Sequence, residues 1–246
     1  MSRLADLRSF YGILAELGQR CGGPKLLRDC TGEMCWPKRG VYFFLEDGEQ
    51  RSTSGSGPRV VRVGTHALTD KSKATLWNRL AQHRGSAKSG GGNHRGSVFR
   101  LLLGEALLQK GSITAPAWGQ GSSLTAAARS IGTPRHVVLE QEQLAERIVT
   151  TQIGAMPFLW LEVDSLVDGM VRRALIERNA IALLSNFERD SIDPPSKRWL
   201  GHYSGRLLVR NSGLWNSHYV EERHDPEFLD MFADAVRAMP LHADWD

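Results

Sequence analysis

The sequence predicts a mixed α/β (α+β) fold: a small three-stranded mixed or antiparallel sheet flanked by helices, with a helical insertion and a C-terminal extension. Three observations carry this. Two β-type runs, GVYFF at 40–44 and RVVRVG at 59–64, face each other across a segment rich in glycine and serine. A third run, MPFLWLEV at 156–163, is nearly continuous in apolar residues, the pattern of a strand covered on both faces. Helical periods lie before, between and after these runs.

In chain order, Leu4, Leu7, Phe10, Leu14 and Leu17 recur at helical spacing and predict a helix over 3–19. A loop rich in Gly, Pro and Cys follows to about Arg39. The first strand is expected at 40–46 and the second at 58–64, with a polar turn between them, to Gly57, that is expected to be mobile. Thr75 to His83 fits a short helix capped by Asp70 or Thr75. GSAKSGGGNHRG, 85–96, reads as a flexible basic loop. SVFRLLLGEALLQK, 97–110, reads as a helix, 111–123 as a loop, and 139–153 as a helix. After the 156–163 strand come a helix from Val167 to Leu184 and a last helix near 226–238. Residues 1–37 are thus an N-terminal helix and loop, and 38–187 a central domain with an insertion at about 85–155. Residues 188–246 form an extension expected to pack on that domain.

The 246 residues suffice for a sizeable core. No apolar run approaches the ~20 residues a membrane span needs, and charges interrupt any leader-like core at the N-terminus, so a cytoplasmic protein with no membrane partner is expected. The formal net charge is +4 and the isoelectric point about 9.1. Charge clusters locally: Lys71, Lys73, Arg79, Arg84, Lys88, Arg95 and Arg100, with His83 and His94 among them. Such a stretch suits phosphate oxygens, or a solvated face. Cys21, Cys30 and Cys35 match no zinc spacing and read as reduced thiols.

Five residues stand out for chemistry. Arg79 and His83, four apart on one helix, pair a forked phosphate donor with a proton acceptor, or form a surface pair beside the core stripe of Leu76 and Leu80. Glu177 falls on the apolar stripe of Met170, Ala174 and Ile181. A carboxylate there must be protonated, bound to a cation, or paired with an arginine such as Arg172 or Arg173. Tyr42 and Arg62 lie on facing strands and can share a pocket, though a lone tyrosine more often simply packs.

Taken in order, these residues resemble the GIY-YIG nuclease superfamily, most closely in look its restriction endonucleases. GVY at 40–42 is similar to the GIY element, and RVG at 62–64 stands where YIG is usual. Arg79 and His83 are similar to the Arg-x3-His of the restriction members. ERNAIALLSN, 177–186, resembles the metal-binding glutamate and the asparagine that follows it. The resemblance covers roughly residues 38–187.

It implies a metal-dependent endonuclease that hydrolyses DNA phosphodiester bonds, in restriction or in genome defence or repair. It implies one Mg²⁺ (or Mn²⁺) held by Glu177, with Tyr42, Arg62, Arg79, His83 and Asn186 catalytic. Lys88, Asn93, His94, Arg95 and Arg100 would contact duplex DNA from the basic loop, and a homo-oligomer is compatible. Arg62 in the second tyrosine position is either a basic substitute or the mark of an inactive nucleic-acid-binding module or interaction subunit. Glu177 to Asn186 is a short interval, so Asn216 in SGLWN competes for the asparagine role.

Overall fold

A computed structural model describes residues 2–66, 72–163 and 169–241. Asp70, Lys71 and Val167 lie outside them. The elements run α1 (Arg3–Arg20), β1 (Lys25–Leu26), β2 (Gly40–Gln50), β3 (Pro58–Thr65), α2 (Leu76–Arg84), α3 (Val98–Gln109), α4 (Leu124–Ser130), α5 (Arg135–Gly154), β4 (Pro157–Glu162), α6 (Gly169–Leu184), α7 (Leu207–Ser212) and α8 (Phe228–Ala238).

The sheet is antiparallel throughout, in the order β1-β4-β2-β3. It has four strands where the sequence suggests three, because the two-residue β1 pairs Lys25 with Phe158 and Leu26 with Pro157. So short a strand carries no periodicity to read.

Side chains alternate across the sheet, so each strand feeds two layers. On one face, Phe43 packs against Phe10 of α1 and Phe232 of α8, at centroid distances of 6.0 and 5.4 Å. On the other, Phe44 packs against Phe99 of α3 and Phe158 of β4, both at 5.3 Å. Tyr42 lies on this second face with Phe44.

Two loop expectations change. The β2–β3 turn is clamped rather than mobile. One oxygen of Asp193 accepts the N–H groups of Ser52, Thr53 and Ser54 at 2.9, 2.7 and 3.0 Å, and the other accepts the Ser54 hydroxyl. Burial opposes that charge, but the four donors win and hold the carboxyl below its usual range. The C-terminal extension also has a defined task. Trp215 N–H donates to Val61 O at 2.7 Å, and the Asn216 amide bonds both N–H and O of Val63, at 3.2 and 2.8 Å. Residues 215–216 therefore satisfy the open edge of β3, which would otherwise present unpaired backbone. Among the described residues no helix is long and apolar enough to cross a membrane.

A candidate active site at the end of β3

The site begins with a glycine. Tyr42 on β2 pairs with Gly64 on β3, and Phe44 pairs with Arg62. A Cβ on Gly64 would lie 2.3 Å from Tyr42 Oη and 2.4 Å from Cζ. The ring lies across the space a side chain would fill, which sends its hydroxyl toward α2 and the diagonal Arg62. Gly40 meets a similar constraint, since a Cβ there would lie 2.3 Å from Leu161 O.

Helix α2 supplies the partner. Thr75 and Asn78 form a reciprocal cap at its start. Leu76, Leu80 and His83 share one buried stripe, so His83 is a core residue and not a member of a surface pair. Its Nε2 lies 2.8 Å from Tyr42 Oη and its Nδ1 lies 2.7 Å from Ser97 Oγ, at the cap of α3. Burial, with Arg79, Arg62 and Arg100 nearby, holds His83 well below the usual histidine range. The imidazole is therefore neutral at neutral pH and keeps a lone pair to accept a proton.

Arg62 is buried beside Tyr42. It donates to Trp215 O, and its guanidinium carbon stands 4.7 Å over the Phe99 ring. Burial pulls it down from the usual arginine value, and its Nε has no acceptor among the described residues. Arg79, one turn before His83, donates to Gln82 at 3.0 Å and to Gly96 O at 3.4 Å.

Glu177 on α6 approaches β3 from the other layer. Thr65 N–H donates to its Oε1 at 3.1 Å. Burial pushes the carboxyl up, while Arg62, that N–H and Arg79 act in the opposite sense. His66, next after Thr65, lies with Nε2 3.3 Å from Lys38 O, and burial lowers its pKa to about 4.

A metal would find a sparse donor set. Among the described residues no cluster of three or more His, Cys, Asp and Glu gathers to hold an ion. A single carboxylate aimed by a backbone N–H suits a hard cation such as Mg²⁺ or Mn²⁺. Such ions keep several waters and take further oxygens from a phosphate. It does not suit zinc.

The rest of the expected site divides. Asn186 is not brought to it. Its side chain accepts from Arg3 at 2.9 Å and from Ile192 N–H at 3.0 Å, and donates to Ile192 O at 3.0 Å, tying the loop after α6 to α1. Asn216 lies against Val63, beside Arg62.

The basic-loop expectation needs correction. Arg100 is taken up by Glu146, bonding it through Nε at 2.8 Å and Nη2 at 2.5 Å in a buried ion pair, which ties it to the scaffold in place of a DNA backbone. His94 is buried too, stacked 3.9 Å from Trp118, with Nδ1 3.0 Å from Glu146. Burial alone would raise Glu146. His94 and Arg100 outweigh it and hold the carboxyl low. Arg95 makes a two-pronged pair with Glu142, both contacts at 2.7 Å. Lys88 and Asn93 alone of that set are exposed.

Sequence reasoning missed Ser97, Thr65 and His66. Only Ser97 left a signal, as a capping residue directly before an apolar run.

No curated protein and no solved structure matches the chain. The GIY-YIG domain model matches residues 1–242, including the segment that closes the β3 edge. With Tyr42, Arg62 and His83 gathered at the end of a small antiparallel sheet, and Glu177 against its last strand, the chain belongs to the GIY-YIG domain family.

Proposed function

We propose that this protein is a metal-dependent endonuclease that hydrolyses phosphodiester bonds of duplex DNA, in restriction or in genome defence or repair. The observation that carries the reading is the 2.8 Å contact between Tyr42 Oη and a neutral, buried His83. It gives the phenol a proton acceptor inside a site rich in arginine.

Glu177 would hold the Mg²⁺ or Mn²⁺ ion. When bound, the ion would neutralise charge on the scissile phosphate and stabilise the leaving oxygen. The chain's own residues do the rest. Tyr42 Oη takes a proton from the attacking water as its own proton passes to His83 Nε2. The water oxygen forms its bond to phosphorus, the bond to the leaving oxygen breaks, and that oxygen takes a proton from solvent. Arg62 and Arg79 stabilise the charge that builds on the phosphoryl oxygens. Asn216, fixed against Val63 beside Arg62, takes the asparagine position in preference to Asn186.

Cleavage of duplex DNA in Mg²⁺ by the wild type, Glu177→Ala and Tyr42→Phe tests this. Each variant is expected to lose at least about tenfold, or ~1.4 kcal/mol of barrier stabilisation. A wild type that cleaves while neither variant slows would contradict the roles. Arg62 in place of a tyrosine favours one other reading, a binding module without turnover. It predicts salt-dependent DNA binding and no cleavage in any divalent ion.

A further inference from the structure

We propose that Ser97 is a positioning residue for the reaction. Its hydroxyl accepts the Nδ1–H of His83 and fixes the imidazole in the tautomer whose Nε2 lone pair receives the Tyr42 proton. This rests on the nuclease reading above.

The assignment follows from counting donors and acceptors. Among the described residues, the polar side chains at Tyr42 Oη are Arg62 and His83. Arg62 carries only donors, so it can only give a hydrogen bond to the phenol oxygen. Among the described residues, the one acceptor within hydrogen-bond distance of the phenol O–H is His83 Nε2, at 2.8 Å. A neutral imidazole that accepts at Nε2 carries its proton at Nδ1. That proton needs an acceptor in a fully buried place, and Ser97 Oγ lies 2.7 Å away. Ser97 has the capacity, since a hydroxyl accepts twice. It also accepts Arg100 N–H at 3.3 Å as the cap of α3.

The same turn grips His83 a second time. Arg100 Nη1 donates to His83 O at 2.8 Å, and Glu146 on α5 fixes Arg100. Side chain and backbone of His83 are therefore both set by the inserted helices. On this account the insertion orients a catalytic base.

The geometry also states what Ser97 does during the step. When Nε2 gains the phenol proton, the ring becomes a cation among Arg62, Arg79 and Arg100. The Nδ1–H···Oγ bond then strengthens, as hydrogen bonds from a charged donor do. Ser97 touches no reacting atom. It stabilises the ring orientation and the transient cation.

The test uses the full-length protein, with ¹⁵N-labelled histidine spectra and single-turnover cleavage of one duplex in Mg²⁺. The His83 signal is assigned with His83→Gln. In the wild type, His83 is expected neutral at pH 7 with the proton on Nδ1. Ser97→Ala is expected to move the tautomer toward Nε2–H and to slow cleavage at least about tenfold. Ser97→Thr keeps the hydroxyl and is expected to restore both, whereas Ser97→Gly, which keeps most of the capping strength without a hydroxyl, is expected to restore neither. Wild-type His83 protonated on Nε2, or an unchanged tautomer in Ser97→Ala with an active wild type, would overturn the proposal. A tautomer change together with a wild type that cleaves nothing would overturn the nuclease reading instead, and leave Ser97 as the group that sets the His83 tautomer.

Discussion

Two groups of basic side chains lie within a few turns of each other and do opposite things. His94, Arg95 and Arg100, from the insertion, are each matched to a carboxylate: Glu146 for the first and last, Glu142 for the middle one. Arg62 and the neutral His83 flank Tyr42, with Arg79 close to both, and the carboxylate that opposes Arg62 is Glu177. A cation matched to a buried carboxylate is structural. On the proposed nuclease reading, one left with carbonyls, a ring face and an orphaned Nε is arranged for an anion that arrives from outside.

The matched group is where the largest stability effect is expected. Glu146→Gln keeps the shape but leaves Arg100 charged and buried without a counterion. That costs about 3–5 kcal/mol, read as a drop in unfolding free energy in urea. A loss below about 1 kcal/mol would show that the pair is not structural. In the unmatched group, Gly64→Ala puts a methyl where the Tyr42 ring lies. Overpacking of this kind costs about 1–3 kcal/mol, and the displaced hydroxyl should slow cleavage at least about tenfold. Normal cleavage by Gly64→Ala would break the link between that glycine and the phenol.

A further effect is one of pH. His66 titrates near 4 when folded and near 6.5 when unfolded. Between those values the unfolded chain binds more protons, so stability falls as pH drops from 6.5 to 4 and is flat with pH above that window. Relative to His66→Gln, which removes this effect, the wild type is expected to lose about 3 kcal/mol by pH 4. Identical slopes for the two proteins would show that His66 is not held neutral by burial.

The contrast also explains what the sequence could disclose. Strands β2, β3 and β4 and helices α1, α2, α3 and α6 follow from local periodicity, and their ends shift by a few residues at most. The β2 strand runs on to Gln50 through register irregularities that no pattern marks. Helix α4 is too short, and too rich in small residues, to show a period. At the site, Tyr42, Arg62, Arg79, His83 and Glu177 could be picked out by type and spacing. Charge matching could not. Whether Arg100 meets phosphate or Glu146 depends on how α3 packs on α5, 46 positions along the chain. For the same reason Ser97 reads only as a cap, and Asn186 and Asn216 cannot be told apart until the chain has closed over β3.

The central claim is that unmatched cations mark the site and matched ones the scaffold. It is tested most directly by single-turnover cleavage of one duplex by Arg79→Ala and Arg95→Ala side by side. Loss of Arg79 should slow the step by about 10²–10³, the usual cost of removing one donor to a developing oxyanion, with the unfolding midpoint unchanged. Loss of Arg95 should leave the rate within about threefold of wild type, under ~1 kcal/mol of barrier. Equal losses, or a greater loss for Arg95→Ala, would contradict the account.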